Sequence, residues 1–280
     1  MYIDYFHLHE NPFTITPDPT FFYLAPSHAE SVAKCEYAIR NKSGLAVVYG
    51  DVGTGKTTIL NDLMRRFKDG QFTIAVLDNP NQTSDTALLK AIAEEFGLTP
   101  RRAKQAAFDQ LQAFLAQEVI EGRTPLLLVD EAQDLRNSTR ADRDMLGMLK
   151  TLTNMKINLA DDRPTKLLQI ILFGQLELIA LLETRRELKS RVAQFGVLSP
   201  LTKEDALAMM QHRWTKAGGL LPLPFEDAAV ELIYQAAKGL PRDIIKVSNS
   251  ALIHAFAHQL AKVPLEGAQY AIDEHHLSPV

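Results

Sequence analysis

Short apolar runs alternate with longer amphipathic segments over the first 200 residues of the chain. Five runs have the length and composition of buried strands, at residues 45–49, 72–77, 126–129, 167–173 and 195–198. Segments with helical periodicity separate them, for example residues 57–67. Strands that alternate with helices of this length predict a parallel sheet covered on both faces. The expected fold class is therefore α/β, a doubly wound parallel sheet.

Beyond Pro200 the pattern predicts helices only, at residues 203–216, 226–238 and 242–259, with a final turn from Asp273. A small helical domain behind the sheet domain is the simplest account. We therefore predict an α/β domain over residues 1–200 and a smaller helical domain over residues 201–280. Residues 1–26, rich in proline and aromatics, are expected to form an extended lead. Ser27 and Glu30 form a capping box that predicts a helix from Ser27 to about Asn41.

A glycine-rich segment follows the first predicted strand and precedes a predicted helix. It fits the pattern G-x-x-x-x-G-K-[ST] and consists of Gly50, Asp51, Val52, Gly53, Thr54, Gly55, Lys56 and Thr57, followed by Thr58. Glycines let such a loop curl so that backbone N–H groups face phosphate oxygens, and the helix N-terminus adds partial positive charge. Lys56 is expected to neutralise the β and γ phosphates, and Thr57 to bind Mg²⁺. The segment predicts a P-loop that binds ATP with Mg²⁺.

Two carboxylates follow an apolar strand in the run Pro125 to Glu131. This is the Walker B pattern, and it places both acids at a carboxyl end of the sheet, where open α/β folds bind their ligands. Asp130 is expected to hold Mg²⁺ through water. Glu131 is expected to orient and deprotonate the attacking water. By itself the pattern also fits a strand followed by a solvated turn, and the neighbouring P-loop favours the functional interpretation.

The sequence resembles AAA+ ATPases, and within them the group that contains the ExeA/GspA secretion ATPases and the TnsC/TniB transposition regulators. The resemblance covers most of the chain. It is carried by Asn11-Pro12-Phe13, by Thr16-Pro17-Asp18-Pro19, by GDVGTGKTT and by the run Asp130-Glu131-Ala132-Gln133-Asp134-Leu135. Leu152-Thr153-Asn154 and LLQIILFGQLE over residues 167–177 continue it. The match is more specific than a P-loop alone.

The resemblance implies roles for three further residues. Gln175 resembles sensor 1, a polar side chain near the γ-phosphate or the water, although a glutamine that caps a turn fits the same position. Arg242, in Gly239-Leu240-Pro241-Arg242, resembles the sensor-2 arginine, and Pro at a helix start with Arg beside it also suits plain structure. Arg191 resembles the arginine finger that a neighbouring subunit presents, which requires an oligomer. Arg185 and Arg186 compete for that role.

Composition and charge narrow the possible classes of function. Hydrophobic residues make up 46% of the chain and charged residues 23%, as in ordinary globular proteins. The apolar runs are too short to span a membrane and the start lacks a secretory signal, so we expect a cytoplasmic protein. Cys35 is the single cysteine. His254 and His258 have metal-binding spacing without an evident third ligand, so ordinary histidines are favoured over a zinc site.

The net charge of −4 means that any binding of nucleic acid has to be local. Arg101, Arg102 and Lys104 group three cations at a loop-to-helix junction, and no acid follows before Asp109. Cations at a helix N-terminus oppose the helix dipole, which favours another reason for their presence. The cluster predicts contacts to double-stranded DNA without sequence preference, although a solvated helix start fits equally well.

The resemblance implies two competing tasks. In the first, the chain assembles on DNA with ATP, as a homo-oligomeric ring or filament, and recruits or activates a transposase together with target-selection proteins. In the second, it resembles a secretion ATPase that assists assembly of an outer-membrane pore. Secretion members usually continue into a transmembrane segment and a periplasmic domain, which these 280 residues lack. We therefore expect the first task. A P-loop kinase is disfavoured by the helical lid.

Overall fold

A computed structural model describes residues 2–16, 18–135, 144–158 and 164–277 of the chain. Pro17, which belongs to the resemblance motif of the lead, lies outside the described residues. The strands are β1 (Leu45–Gly50), β2 (Phe72–Leu77), β3 (Thr124–Val129), β4 (Lys156–Asn158), β5 (Pro164–Lys166), β6 (Gln169–Gly174) and β7 (Val192–Leu198). The helices are α1 (Tyr2–Tyr5), α2 (Pro26–Arg40), α3 (Lys56–Arg66), α4 (Asp85–Glu95), α5 (Lys104–Ile120), α6 (Met145–Thr153), α7 (Leu176–Glu183), α8 (Arg186–Lys189), α9 (Lys203–Lys216), α10 (Asp227–Ala237), α11 (Pro241–Ala257) and α12 (Leu265–Glu274).

Five strands form a parallel sheet in the order β2-β3-β6-β1-β7, and β4 and β5 form a separate antiparallel hairpin. The central strands β3 and β6 are almost wholly buried, which is why their sequences are continuous apolar runs. Because all five strands are parallel, the carboxyl ends of β3, β6 and β1 lie side by side at one edge of the sheet, and their amino ends at the other. The predicted α/β fold class with a parallel sheet is confirmed.

Most predicted elements are present, with differences at their ends. The strand at 72–77 and the helix at 203–216 have the predicted bounds. The capping-box prediction is wrong, because α2 already begins at Pro26, a residue that suits the first helical turn, where its missing N–H costs nothing. The predicted final turn from Asp273 is also wrong. Residues 265–274 form a full helix there, and Pro264 provides its N-cap.

The chain divides into two compact units. The first, called here the sheet unit, comprises Ser27–Gly50 and Ile59–Leu198. The second, called the helical unit, comprises Met1–Pro26, Asp51–Thr58 and Ser199–Val280. The lead therefore groups with the C-terminal helices, whereas the predicted domain ranges place it with the sheet. Each unit has its own apolar core, formed by strands and helices in the sheet unit and by helices and lead aromatics in the helical unit.

A buried arginine attaches the lead within the helical unit. Arg213 of α9 is 7% exposed, and its guanidinium donates to the carbonyl oxygens of Pro12 (2.7 Å), Thr14 (2.8 Å) and Phe21 (3.4 Å). The guanidinium also lies 5.0 Å from the Phe21 ring centroid, within cation–π range. Burial lowers the pKa of Arg213 to about 10, so the group stays charged at neutral pH. Three lead carbonyls thus accept hydrogen bonds from one side chain.

No helix in the described part of the chain is long and apolar enough to cross a membrane.

We expect Arg213→Met to destabilise the helical unit by about 3 kcal/mol, because buried carbonyl groups of the lead would lose their donors. Lys216→Met, an exposed change on the same helix, is the matched control. The urea midpoint and the rate of proteolytic cleavage within residues 10–25 measure the effect. An unchanged midpoint and an unchanged cleavage rate for Arg213→Met would show that the lead is held by its aromatic residues alone.

Candidate functional site

The glycine loop leaves β1 at Gly50 and runs into α3, and its own polar groups fold it into a closed turn. The Asp51 carbonyl accepts hydrogen bonds from the Thr54 hydroxyl (2.8 Å) and from the Lys56 ammonium (2.8 Å). Gly53 and Gly55 have φ angles of 81° and 99°, a region that strongly favours glycine. Lys56 is only 6% exposed. The loop therefore has the curled backbone and the inward lysine that phosphate binding requires.

The start of α11 contacts the glycine loop within the helical unit. The Arg242 backbone N–H donates to the Gly53 carbonyl (3.3 Å), so the loop provides an acceptor for one N–H of a helix whose N-cap, Leu240, has no capping side chain. A Cβ on Gly53 would approach the Cβ of Arg242 to 3.1 Å, so the contact also needs glycine there. The exposed Arg242 side chain thus begins beside the loop.

Asp130 and Glu131 follow β3 at the carboxyl edge of the sheet. Asp130 is 6% exposed, and its carboxylate accepts the backbone N–H of Glu131 at 2.9 Å. Glu131 has a left-handed backbone, with φ 46° and ψ 40°. For a residue other than glycine this conformation costs about 1–2 kcal/mol. Such strain is characteristic of functional positions, where the surrounding structure maintains it.

Gln133 connects Glu131 to the end of the neighbouring strand. Its side-chain nitrogen donates to a Glu131 carboxylate oxygen at 2.5 Å, and its side-chain oxygen accepts the backbone N–H of Gln175 at 3.0 Å. Gln175, which follows β6, also donates to Glu131 at 3.4 Å. At Gly174, a Cβ would come within 2.9 Å of the Gln133 oxygen. Two amides therefore fix one carboxylate.

The role of Gln133 was missed in the sequence interpretation. Gln175 occupies the N-cap position of α7 but makes no capping hydrogen bond, and its side chain is directed to Glu131 instead. The available signal was the position of Gln133 in the run Asp130-Glu131-Ala132-Gln133, two residues after the candidate base. Only the pairing of β3 with β6 reveals that its partner lies 42 residues away.

Arg191 lies at the opposite edge of the sheet from the carboxylates. It directly precedes β7, whose first residue, Val192, pairs with Leu45 at the start of β1. Six residues of β1, at about 3.3 Å each, separate this amino edge from the carboxyl edge, a distance on the order of 20 Å. Arg185, one competitor, forms an ion pair with Asp144 at 3.0 Å. In the described residues Arg191 forms no ion pair, and its buried Nε has no hydrogen-bond partner.

The basic cluster is only partly available to a ligand. Arg101 and Arg102 are exposed. Lys104, the first residue of α5, forms an ion pair with Asp85 of α4 at 2.6 Å, and Asp85 is 4% exposed. The expectation that no acid balances these cations before Asp109 is therefore wrong for Lys104. The balancing acid is Asp85, which precedes Lys104 by 19 residues, so the local sequence pattern cannot show it.

The described residues contain no group of three or more His, Cys, Asp or Glu side chains that could hold a metal ion. His254 and His258 instead form a ring stack, with centroids 4.2 Å apart, and Tyr270 stacks on His254 at 4.7 Å. Mg²⁺ needs fewer protein ligands than such a group provides, because it is usually bound by one or two side-chain oxygens together with substrate phosphates and water. Thr57 and Asp130 have the oxygen donors that suit this mode of binding.

A family model described as AAA domain matches residues 39–182, which is 144 residues and just over half of the 280-residue chain. The chain belongs to the AAA domain family. The matched region contains the glycine loop, the Asp130-Glu131 pair and Gln175. This membership makes the chain a P-loop NTPase of the AAA+ type.

One curated relative is General secretion pathway protein A of Aeromonas hydrophila. It is 33% identical over 267 residues, which cover 94% of this chain and 46% of the relative. The chain therefore spans about half the length of the curated relative it matches. The alignment extends beyond the family model into both the lead and the C-terminal helices.

Several solved structures have a similar fold. The Aeropyrum pernix ORC2 protein in its ADPNP–ADP complexes has a TM-score of 0.68 at 19% identity, over 95% of this chain and 73% of that one. Cdc6p of Pyrobaculum aerophilum has a TM-score of 0.68 at 17% identity, over 94% of this chain and 70% of that one. The Thermotoga maritima RuvB branch migration motor has a TM-score of 0.56 at 15% identity, over 91% of this chain and 73% of that one. At these identities the likeness shows the fold alone.

We expect Gln133→Ala to lower ATP turnover by about 100-fold while ATP affinity stays within about twofold, because the Glu131 carboxylate would lose its closest positioning donor. Asp134→Ala, an exposed change in the same turn, is the matched control. Turnover and nucleotide affinity are measured separately. Wild-type turnover in Gln133→Ala would contradict a positioning role.

Proposed function

We propose that this chain binds ATP with Mg²⁺ and hydrolyses it. The observation that carries the proposal is Glu131, whose backbone is strained and whose carboxylate is held by Gln133 and Gln175, at the sheet edge where β1 leads into the glycine loop. A carboxylate held by two amides and attached to a rigid strand end is suited to position a water molecule and accept its proton. Membership in the AAA domain family supports the same chemistry.

Each residue has a distinct role in this proposal. The loop N–H groups and Lys56 hold the β and γ phosphates, and binding requires Lys56 to leave the Asp51 carbonyl it contacts in this structure. Thr57 and Asp130 hold Mg²⁺, which would offset phosphate charge. Glu131 takes a proton from water as the water attacks the γ-phosphorus, while the bond from that phosphorus to the β–γ bridging oxygen breaks and ADP leaves. Gln175 orients that water, and Arg242 contributes positive charge beside the loop.

The proposed active form is a homo-oligomer. Arg191 lies on the order of 20 Å from the edge where β1 leads into the loop, so its guanidinium is badly placed for the nucleotide of its own subunit. A second copy that presents its carboxyl edge to this amino edge would bring nucleotide and arginine together. Arg191 then stabilises the negative charge of the transferring phosphoryl group in trans. Ring and filament both satisfy this requirement.

Among the candidate tasks, the curated relative supports assembly of a secretion machinery. Identity of 33% extends through 94% of the chain, including both the lead and the helices that follow residue 200. Because the chain corresponds to less than half of that relative, the task of the whole relative comes to this chain only as a proposal. This similarity favours the secretion task over the transposition task, which we expected from the sequence.

A DNA-assembled transposition regulator, acting with a transposase and target-selection proteins, stays a second candidate because of one observation. Arg101 and Arg102 are exposed, and in the described residues neither forms an ion pair, so both guanidinium groups are available to phosphates. Contacts of this kind give affinity without sequence preference. A DNA-binding experiment distinguishes the two tasks, because only the transposition regulator requires duplex DNA.

We expect Lys56→Ala to abolish ATP binding, because the loop would lose its phosphate-directed charge. Glu131→Gln should keep wild-type affinity, hydrolyse ATP at least about 100-fold more slowly and accumulate the assembled state, because the amide is a poor base. Nucleotide affinity, phosphate release and sedimentation measure the three effects. Wild-type turnover in Glu131→Gln, with ATP tightly bound, would refute its role as the base.

If DNA binding is part of the function, we expect the double change Arg101→Ala, Arg102→Ala to weaken binding equally on every duplex sequence. The slope of log affinity against log salt should fall by about two phosphate contacts. Lys104→Ala should have a smaller effect because its ammonium already pairs with Asp85. A salt titration in the presence of a slowly hydrolysed ATP analogue measures both. The transposition hypothesis fails if wild-type protein binds no duplex DNA under these conditions.

A further inference from the structure

A group of polar side chains surrounds Gly44 at the amino edge of the sheet. Gly44 directly precedes β1, which lies between β6 and β7. Its carbonyl accepts the backbone N–H of Ile170 at 2.8 Å, and the next residue, Leu45, pairs with both Ile170 and Val192. Gly44 is therefore flanked by the starts of two strands. Gln169 begins β6 and Arg191 immediately precedes β7.

Lys166 lies directly over Gly44. Its ammonium donates to the Ser43 carbonyl at 2.5 Å, and a side chain at Gly44 would collide with the end of the lysine. Gly44 also has a φ angle of 97°, which favours glycine independently. This turn therefore accommodates a cation close to the backbone. In the described residues Lys166 forms no ion pair.

Gln169 adds a hydrogen-bond donor to the same turn. The residue is 2% exposed, and its side-chain oxygen accepts the Gly44 backbone N–H at 2.7 Å, which fixes the orientation of the amide. The side-chain nitrogen is buried and, within the part of the chain that the structure describes, has no hydrogen-bond partner. A buried donor without a partner is costly and calls for an acceptor.

Arg191 is a second cation near Lys166. Burial and the charge of Arg191 lower the pKa of Lys166. The charge of Arg191 also contributes to lowering the pKa of Glu187, but this carboxylate already forms an ion pair with Lys150. In the described residues no carboxylate pairs with either cation. Two like charges near one turn, with an unsatisfied amide donor beside them, form an arrangement that an anion would stabilise.

We propose that Lys166 and Arg191 together form an anion site that receives the terminal phosphate of the nucleotide bound to a second copy of this chain. This makes Lys166 a phosphate-contacting residue in trans. Two part-exposed cations suit a multiply charged phosphoryl group with several acceptor oxygens. The inference rests on the proposed function, because the second copy has to hold ATP.

The position of the site favours a second copy as the source of the phosphate. The site lies one β1 length, on the order of 20 Å, from the edge where the subunit's own loop begins. A neighbour stacked with its carboxyl edge on this amino edge brings its loop to Lys166 and Arg191. Free inorganic phosphate and the DNA backbone offer the same chemistry, so the test distinguishes them.

The first measurement uses wild-type protein and follows the chemical acetylation of individual lysines by mass spectrometry. With a slowly hydrolysed ATP analogue under assembling conditions, acetylation of Lys166 should fall at least about fivefold, as a phosphate contact withdraws the amine from the reagent. Lys156, the exposed cross-strand neighbour of Lys166, should change by less than about twofold. Equal acetylation of Lys166 with and without assembly would overturn the proposal.

The second measurement assigns the phosphate to its source. Isotope-labelled Lys56→Ala subunits, which are expected to lack nucleotide, should gain protection at Lys166 only when mixed with ATP-loaded Glu131→Gln subunits. Protection of these labelled subunits by millimolar inorganic phosphate alone, or by duplex DNA alone, would overturn the assignment to a second copy. So would failure of wild-type protein to assemble with the analogue. ATP binding by isolated subunits, measured in parallel, reports on the proposed function separately.

The third measurement is turnover. Lys166→Met should hydrolyse ATP about 100-fold more slowly than wild type, with ATP affinity of the isolated subunit unchanged, and Lys166→Arg should recover most of that loss. Lys156→Met is the matched control. Mixing Lys166→Met with Glu131→Gln should restore part of the activity. At some interfaces the intact carboxyl edge of a Lys166→Met subunit then meets the intact amino edge of a Glu131→Gln subunit. Wild-type turnover in a folded Lys166→Met protein, together with loss of turnover in Arg191→Ala, would overturn the role of Lys166. The role of Arg191 as an arginine finger would then still stand.

Discussion

The candidate site depends on the parallel pairing of β3, β6 and β1. Parallel strands bring residues that are distant in sequence to one edge in a fixed register, because each backbone hydrogen bond of the ladder excludes a slip. At the carboxyl edge this places Asp130, Glu131 and Gln175 at adjacent strand ends. The same register lets the strained backbone of Glu131 persist, since β3, which precedes it, is hydrogen-bonded to β2 on one side and to β6 on the other.

The helical unit contains two irregular backbone segments, the lead and the glycine loop, which are held by polar contacts. The lead has few regular hydrogen bonds of its own, and a single buried guanidinium satisfies three of its carbonyl groups. The glycine loop likewise uses Asp51 as an internal acceptor and provides an acceptor for the start of α11. In both cases a few charged or polar groups order backbone that apolar packing could not specify, because carbonyl groups need directional partners.

The two edges of the sheet differ in charge, and this difference gives the proposed oligomer its polarity. Carboxylates and amides lie at the carboxyl edge. Around Gly44 at the amino edge, the described residues include two cations without an ion pair and an amide nitrogen without an acceptor. In the proposed oligomer, a subunit with one such edge of each kind would associate head to tail, which would generate rings or filaments rather than a closed dimer. Hydrolysis would then remove the anion that the amino edge receives, so assembly and chemistry would be coupled through one phosphate.

The sequence by itself determined the α/β class, the order of the five strands of the parallel sheet along the chain, the glycine loop and the acids after β3, because periodicity and short motifs are local properties of the chain. It did not reveal that Gln133 connects Glu131 to Gln175, that Asp85 already neutralises Lys104, or that Arg213 holds the lead. It also gave no reason to consider Lys166. These facts required the tertiary structure, because they depend on pairs of residues separated by 19 to 201 positions, whose proximity is decided by sheet register and helix packing.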